Sequence, residues 1–224
     1  MRWAQSLRWF VIGCAVGVLA QVLHLAPLGF DAAATLRVGS ESAALHVIVS
    51  DLGRVPVTEG QGHDGQYYYL IARDPFGLRD YPALTDDGGY RFRRPLSGWL
   101  AGGMGLLPAT VVVWSLSLWE IVGFGLTAAA LAALMSHLGA RRWAMVGALG
   151  SVGLWISVQL VTPDALALGL ALWGVVASLR ARWAWAMVAF ALAGLAKDTY
   201  LLFALSTAGW LWADGRRREA AMTM

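Results

Sequence analysis

Apolar residues in this chain come in long unbroken runs, and polar residues gather in short clusters between them. A membrane-crossing helix needs about 20 mostly apolar residues, with about 17–25 the usual range. Runs near that length lie at 9–29, 110–135, 143–161 and 164–179, followed by shorter ones at 183–196 and 199–213. The pattern predicts an all-α polytopic helix bundle of about six transmembrane helices, with 1–224 a single membrane domain. Segment 30–108 interrupts the runs, and surface helices are expected in it at about 64–74 and 95–107, the second ended by Pro108.

Placement of charge orients the bundle. Arg2 and Arg8, Arg141 and Arg142, Arg180 and Arg182, and Arg216, Arg217 and Arg218 fall in alternate connectors. The positive-inside rule puts both termini in the cytoplasm and the long loop outside an inner membrane. Trp3, Trp9, Trp143, Trp183, Trp185, Trp210 and Trp212 sit beside those arginines, where an interfacial aromatic belt belongs. Ala32-Ala33-Ala34 fits a signal-peptide cleavage pattern, but the preceding apolar stretch exceeds the roughly 7–15 residues of such a peptide.

Composition agrees. The chain of 224 residues is 58% hydrophobic and 14% charged, with mean hydropathy +0.58. A soluble domain carries about 25% charged residues, so a soluble enzyme, a disordered chain and a disulfide scaffold are excluded. Cys14 is the one cysteine. The net charge of +3 is spread among the connectors rather than along one face, which argues against nucleic acid as a partner.

The long loop holds the candidate chemistry. Its second half concentrates Tyr67, Tyr68, Tyr69, Tyr81, Tyr90, Phe76 and Phe92, enough aromatic surface to fold. In His63-Asp64-Gly65-Gln66-Tyr67-Tyr68-Tyr69-Leu70-Ile71-Ala72, a helix over 64–73 puts Asp64, Tyr67, Tyr68 and Ile71 on one face, with Tyr69 and Arg73 on the other. Asp64 reads equally as the cap of that helix and as a catalytic carboxylate. Arg91, Arg93 and Arg94 read as a solvated patch or as an anion site, because guanidinium groups grip phosphate through paired hydrogen bonds. Lys197, the one lysine, and Asp198 form a turn between the last two runs. Glu120 inside the 110–135 run is either functional or a neutral carboxyl bonded to a neighbouring helix. Gly13-x-x-x-Gly17 and Gly98-x-x-x-Gly102 match helix-packing spacing.

Several activities lack their residues. Pro95-Leu96-Ser97-Gly98 is the nearest match to a rhomboid protease motif, and no histidine follows His137. No HExxH or Cys/His ligand cluster, P-loop or dinucleotide turn is present, so no metal site is assigned. No paired interruption of spans marks a transporter repeat.

The order of the remaining parts resembles the GT-C superfamily of integral membrane glycosyltransferases, which includes protein O-mannosyltransferases and the mannosyltransferases of lipid-anchor synthesis. One span leads to a long outer loop with the 63–72 motif. Arg93-Arg94-Pro95-Leu96 then opens a surface helix, Thr162-Pro163-Asp164 forms one outer turn, and Leu195-Ala196-Lys197-Asp198-Thr199-Tyr200-Leu201-Leu202 the next. The resemblance implies inverting transfer of a sugar from a polyprenyl-phosphate donor on the outer face, in glycan synthesis for the cell envelope. It makes Asp64 the general base, Arg91, Arg93, Arg94 and Lys197 the lipid-phosphate contacts, and His63, Gln66 and Tyr68 the sugar-pocket lining. Asp74, Asp164 and Asp198 are reserve acidic positions. A divalent metal is one cofactor such chemistry accommodates, and the lipid-linked sugar is the co-substrate. The partners implied are membrane lipid, that donor, and a second copy or another membrane protein. The chain departs from the family in its fewer spans, in Asp198 where glutamate is common, and in Ser97-Gly98 where an aromatic-proline pair is common. Two alternatives come from other classes: a non-catalytic membrane subunit of similar architecture, and a lipid-carrier flippase suggested by Glu120 and the outer basic groups.

Overall fold

The computed structural model describes residues 3–85, 89–140 and 144–223. Arg2, Arg141, Arg142 and Trp143, used above for orientation, lie outside the described residues. The chain is all-α apart from a two-residue parallel pair, in which Val38 and Gly39 align with Val57 and Thr58. Its helices are α1 (Trp3–Leu25), α2 (Leu45–Leu52), α3 (Gly65–Arg73), α4 (Leu96–Gly102), α5 (Ala109–His137), α6 (Ala144–Leu149), α7 (Val152–Leu160), α8 (Asp164–Leu179), α9 (Trp183–Ala196), α10 (Leu201–Ala213) and α11 (Arg217–Ala221).

Among the described residues, two stretches are long and apolar enough to cross a membrane, Ala4–Leu28 and Ala109–His137. The others are shorter. At about 1.5 Å per residue, the 16 residues of α8 span about 24 Å, and α9 and α10 less, against a hydrocarbon core of about 30 Å. The run at 143–161 is not one helix. It divides into α6 and α7 at Gly150-Ser151, because glycine and serine are poor helix residues that hydropathy does not register. Pro163-Asp164 and Arg182-Trp183, by contrast, punctuate the chain where α8 and α9 begin, and these two helices coincide with their apolar runs.

Contacts divide the chain into two units. Unit one comprises Met1–Val16, Val122–Leu154 and Asp164–Met224. Here α8 and α9 pack through Ala177, Ala186 and Phe190, joined by Ala204 of α10. Gly174 makes this possible, since a Cβ there would come within 2.6 Å of the Phe190 ring. Gly13 lies against Gly125 and Ala128 in the same manner.

Unit two comprises Gly17–Ile121 and Trp155–Pro163. Its core gathers Leu36, Val38, Ile48, Tyr68, Tyr69, Leu70 and Ile71 with Val112, Val113, Leu116 and Val161. The long segment after α1 is thus a folded body, with α3 wholly buried apart from Arg73. Helix α4 is shorter than the 95–107 expected and is not a surface helix, because it packs on α3. A Cβ on Gly102 would collide with the carbonyl of Ala72, and Gly98 abuts Ile71. The Gly98-x-x-x-Gly102 spacing is therefore a packing device. Glu120 is fully buried with its Oε2 3.0 Å from Ser157 Oγ, which also lies 2.6 Å from the carbonyl oxygen of Thr162. It bonds to α7, as the reading of a carboxyl bonded to a neighbouring helix expects.

Candidate functional site

Asp64 occupies the residue before α3 but does not cap it. Its φ and ψ, −57° and −29°, are already helical, and the carboxylate makes no bond to the helix amides. An effective cap has extended dihedrals that swing its oxygen over those amides. The capping alternative is corrected accordingly. The carboxylate turns to Arg91, whose Nη1 lies 2.7 Å from Asp64 Oδ2. The Asp64 side chain is 35% exposed and that of Arg91 15%, so the pair sits at a surface with the carboxylate as its open end.

Aromatic rings fix the arginines. The Arg91 guanidinium lies 4.7 Å from the centroid of the Tyr67 ring, one turn along α3 from Asp64. Such contacts contribute about 0.5–1 kcal/mol at exposed sites and more when water is excluded. Arg94 is buried, stacks on the Tyr90 ring with its guanidinium 4.4 Å from the centroid, and donates to the Tyr90 hydroxyl. The Tyr68 hydroxyl is buried on the same side. Burial, and next the nearby Asp64 charge, push it up from its ordinary pKa against the opposing pull of Arg94 and Arg91. The turn Tyr90–Arg93 thereby sets Arg91 beside the Asp64 carboxylate, and Arg91 and Arg94 both act on the Tyr68 hydroxyl.

Gly65 explains how Asp64 is held. A Cβ at this position would come within 2.8 Å of the Leu160 carbonyl and 2.9 Å of Val161. The start of α3 thus rests directly on the end of α7. Val161 itself has φ +48°, an unusual conformation for a β-branched residue, and is fully buried.

Other predicted residues fall elsewhere. His63 is exposed; its backbone N–H donates to the Arg37 carbonyl and its carbonyl accepts from the Gln66 amide. Gln66 does not line a pocket. It is fully buried, its Oε1 accepting from Gly39 at 3.3 Å and its Nε2 donating to Gln61 at 2.7 Å, which locks the loop ahead of α3. Tyr68 is fully buried, with Asp64, Arg94 and Arg91 acting on its hydroxyl. Arg93 is exposed. Asp74 is a turn residue: its two carboxylate oxygens accept from the amides of Leu78 and Arg79 at 2.9 and 2.8 Å.

Unit one holds a second pair. Lys197 Nζ lies 2.7 Å from Asp164 Oδ1, and the Tyr200 hydroxyl lies 3.4 Å from the same oxygen. Asp198 accepts from the Thr199 amide at 2.9 Å.

Two groups important to this geometry were not singled out from the sequence. Tyr90 underlies Arg94, and Asp51 accepts from the Tyr69 hydroxyl at 2.8 Å and from Arg73 Nε at 2.9 Å. No local pattern marks Asp51, because its partners lie 18 and 22 residues away. Among the described residues, no group of three or more His, Cys, Asp or Glu side chains could hold a metal ion. Comparison with known protein families, curated proteins and solved structures returns no match for this chain.

Proposed function

We propose that the protein is a membrane glycosyltransferase of GT-C type, transferring a sugar from a polyprenyl-phosphate donor to an acceptor on the outer face of the inner membrane. One observation carries the reading. Asp64 is withheld from its own helix, kept partly open, and set against a segment with three arginines.

Asp64 takes the proton of the acceptor hydroxyl as that oxygen attacks the anomeric carbon. This role requires hydrogen-bond reach, which a carboxylate with one open side provides. As the sugar–phosphate bond breaks, negative charge grows on the departing lipid phosphate. Arg91, buried Arg94 and exposed Arg93 supply the fixed positive field that stabilises it. Both long helices and the shorter apolar ones anchor the chain, with six crossings, cytoplasmic termini and the loop outside.

Purified full-length protein, given a polyprenyl-phosphate sugar and a lipid or peptide hydroxyl acceptor, is expected to transfer the sugar with inversion. Asp64→Asn should lower the rate by at least about a hundredfold. Unchanged turnover in that variant removes Asp64 from the chemistry.

A second reading has its own support. Asp64 and Arg91 satisfy one another, as a pair preserved for shape alone would, so a non-catalytic membrane subunit fits the same geometry. Co-purification with another membrane protein, together with full function of Asp64→Asn in cells, is the result that selects it.

A further inference from the structure

Unit one contains a cavity of about 490 Å³ lined by Ser6, Trp173, Val176, Ala177, Arg180, Arg182, Trp185 and Ala189. It lies along the C-terminal half of α8, from about 14 Å (Trp173) to about 24 Å (Arg180) along the helix from Asp164. Its walls are mostly hydrocarbon and indole, while its rim carries two guanidinium groups and, among the described residues, no carboxylate. Trp173 adds an indole N–H that is buried and has no hydrogen-bond partner among the described residues.

The turn between α8 and α9 is built to flank this cavity with charge. Ala181, between the two arginines, has φ +54°, a left-handed conformation for which glycine is the usual residue. The backbone bonds of Ala181 to Ser178 and of Arg182 to Ala177 close the turn tightly. Beside it, α9 turns outward Trp185, 69% exposed, with Met187 and Val188 half exposed. Such a face is costly in water and at home in acyl chains.

We infer that this cavity binds an anionic phospholipid, the phosphate held between Arg180 and Arg182 and the first part of one acyl chain lying against Trp173, Val176, Ala177 and Ala189. Two cations over apolar walls complement a molecule that is negative at one end and hydrocarbon at the other; a soluble phosphate leaves the walls unmatched. The volume is in the range of small-molecule pockets, roughly 300–1,000 Å³, enough for a headgroup and part of a chain rather than a whole lipid. The inference does not require sugar transfer by the same protein.

The full chain, purified in detergent and delipidated, is titrated with phosphatidylglycerol or with phosphatidylcholine of the same acyl chains, and bound lipid is counted by native mass spectrometry. Phosphatidylglycerol is expected to bind at least about tenfold more tightly. R180Q/R182Q should abolish that preference while phosphatidylcholine retention is unchanged. Ala189→Phe, which fills the cavity without touching charge, should weaken both lipids, with the helical circular dichroism signal confirming that the variant is folded. Equal binding of the two lipids overturns the inference, as does a preference that survives R180Q/R182Q. Displacement of phosphatidylglycerol by glycerol phosphate at matching concentration also overturns it, assigning the site to a soluble anion.

Discussion

The molecule contains two carboxylate–cation pairs of the same length, 2.7 Å, in two different settings. In unit one, Asp164 is the first residue of α8, where the positive end of the helix dipole already favours a negative charge. Lys197 and the Tyr200 hydroxyl add to an aspartate that the helix would place there anyway. In unit two, Asp64 stands at the equivalent edge of α3, where its backbone carbonyl accepts from the Tyr67 and Tyr68 amides but its carboxylate makes no bond to the helix. Its partner is an arginine clamped on Tyr67, with a second, buried arginine nearby. Equal distances thus conceal unequal causes. One aspartate is placed by local helix chemistry and the other turns away from its helix, while both cations arrive from distant positions, 33 and 27 residues along the chain.

This contrast can be broken most directly by activity. Asp64→Asn should cost about two to four orders of magnitude in sugar transfer, and Asp164→Asn less than about fivefold, both read from initial rates with labelled donor. Comparable losses would mean that the two pairs serve one purpose. Stability should separate the pairs in the same direction. Arg91→Ala, which strands a partly buried carboxylate and uncovers Tyr67, should cost about 1–2 kcal/mol by denaturant titration in detergent.

Alkaline titration sharpens the picture of unit two. Burial raises the Tyr68 and Tyr69 hydroxyls above the ordinary tyrosine value, joined at Tyr68 by the nearby Asp64 charge and at Tyr69 by the bond to Asp51. Above about pH 10 the unfolded chain loses these protons while the folded chain keeps them, so stability is complete below that pH and falls above it. Tyr69→Phe should cost about 1 kcal/mol at neutral pH, through the lost bond to Asp51, and flatten the fall between about pH 10 and 11. A steeper fall in the variant would contradict the assignment. Lys197→Met comes next, at about 0.5 kcal/mol, since its pair is more open to water. Arg93→Gln is the smallest, within about 0.5 kcal/mol in stability, because the residue is exposed.

What could be read from the residues divides along the same line. Helices α8 and α9 were legible because Pro163, Asp164, Arg180 and Arg182 punctuate apolar runs, and periodicity is a local property. The break at Gly150-Ser151 was not, since a hydropathy window averages over the two residues that stop the helix. Within the site, the shared face of Asp64 and Tyr67 follows from helical spacing. The capping alternative at Asp64 needed a backbone angle that composition does not disclose. Gln66 was a sugar-pocket candidate through the GT-C resemblance alone, whereas the Gly39 amide and Gln61 carbonyl that occupy it come from the folded loop. Asp51 was invisible for the same reason.

The contact of Gly65 with the last carbonyl of α7 leaves the root of Asp64 with no slack. A carboxylate on a loose loop could travel toward substrates of different sizes; one whose neighbour is wedged against a second helix keeps its station. Under the proposed transfer reaction, reach would then have to come from the acceptor, and tolerance toward different acceptors would be set by how far their hydroxyls can lean toward a fixed oxygen.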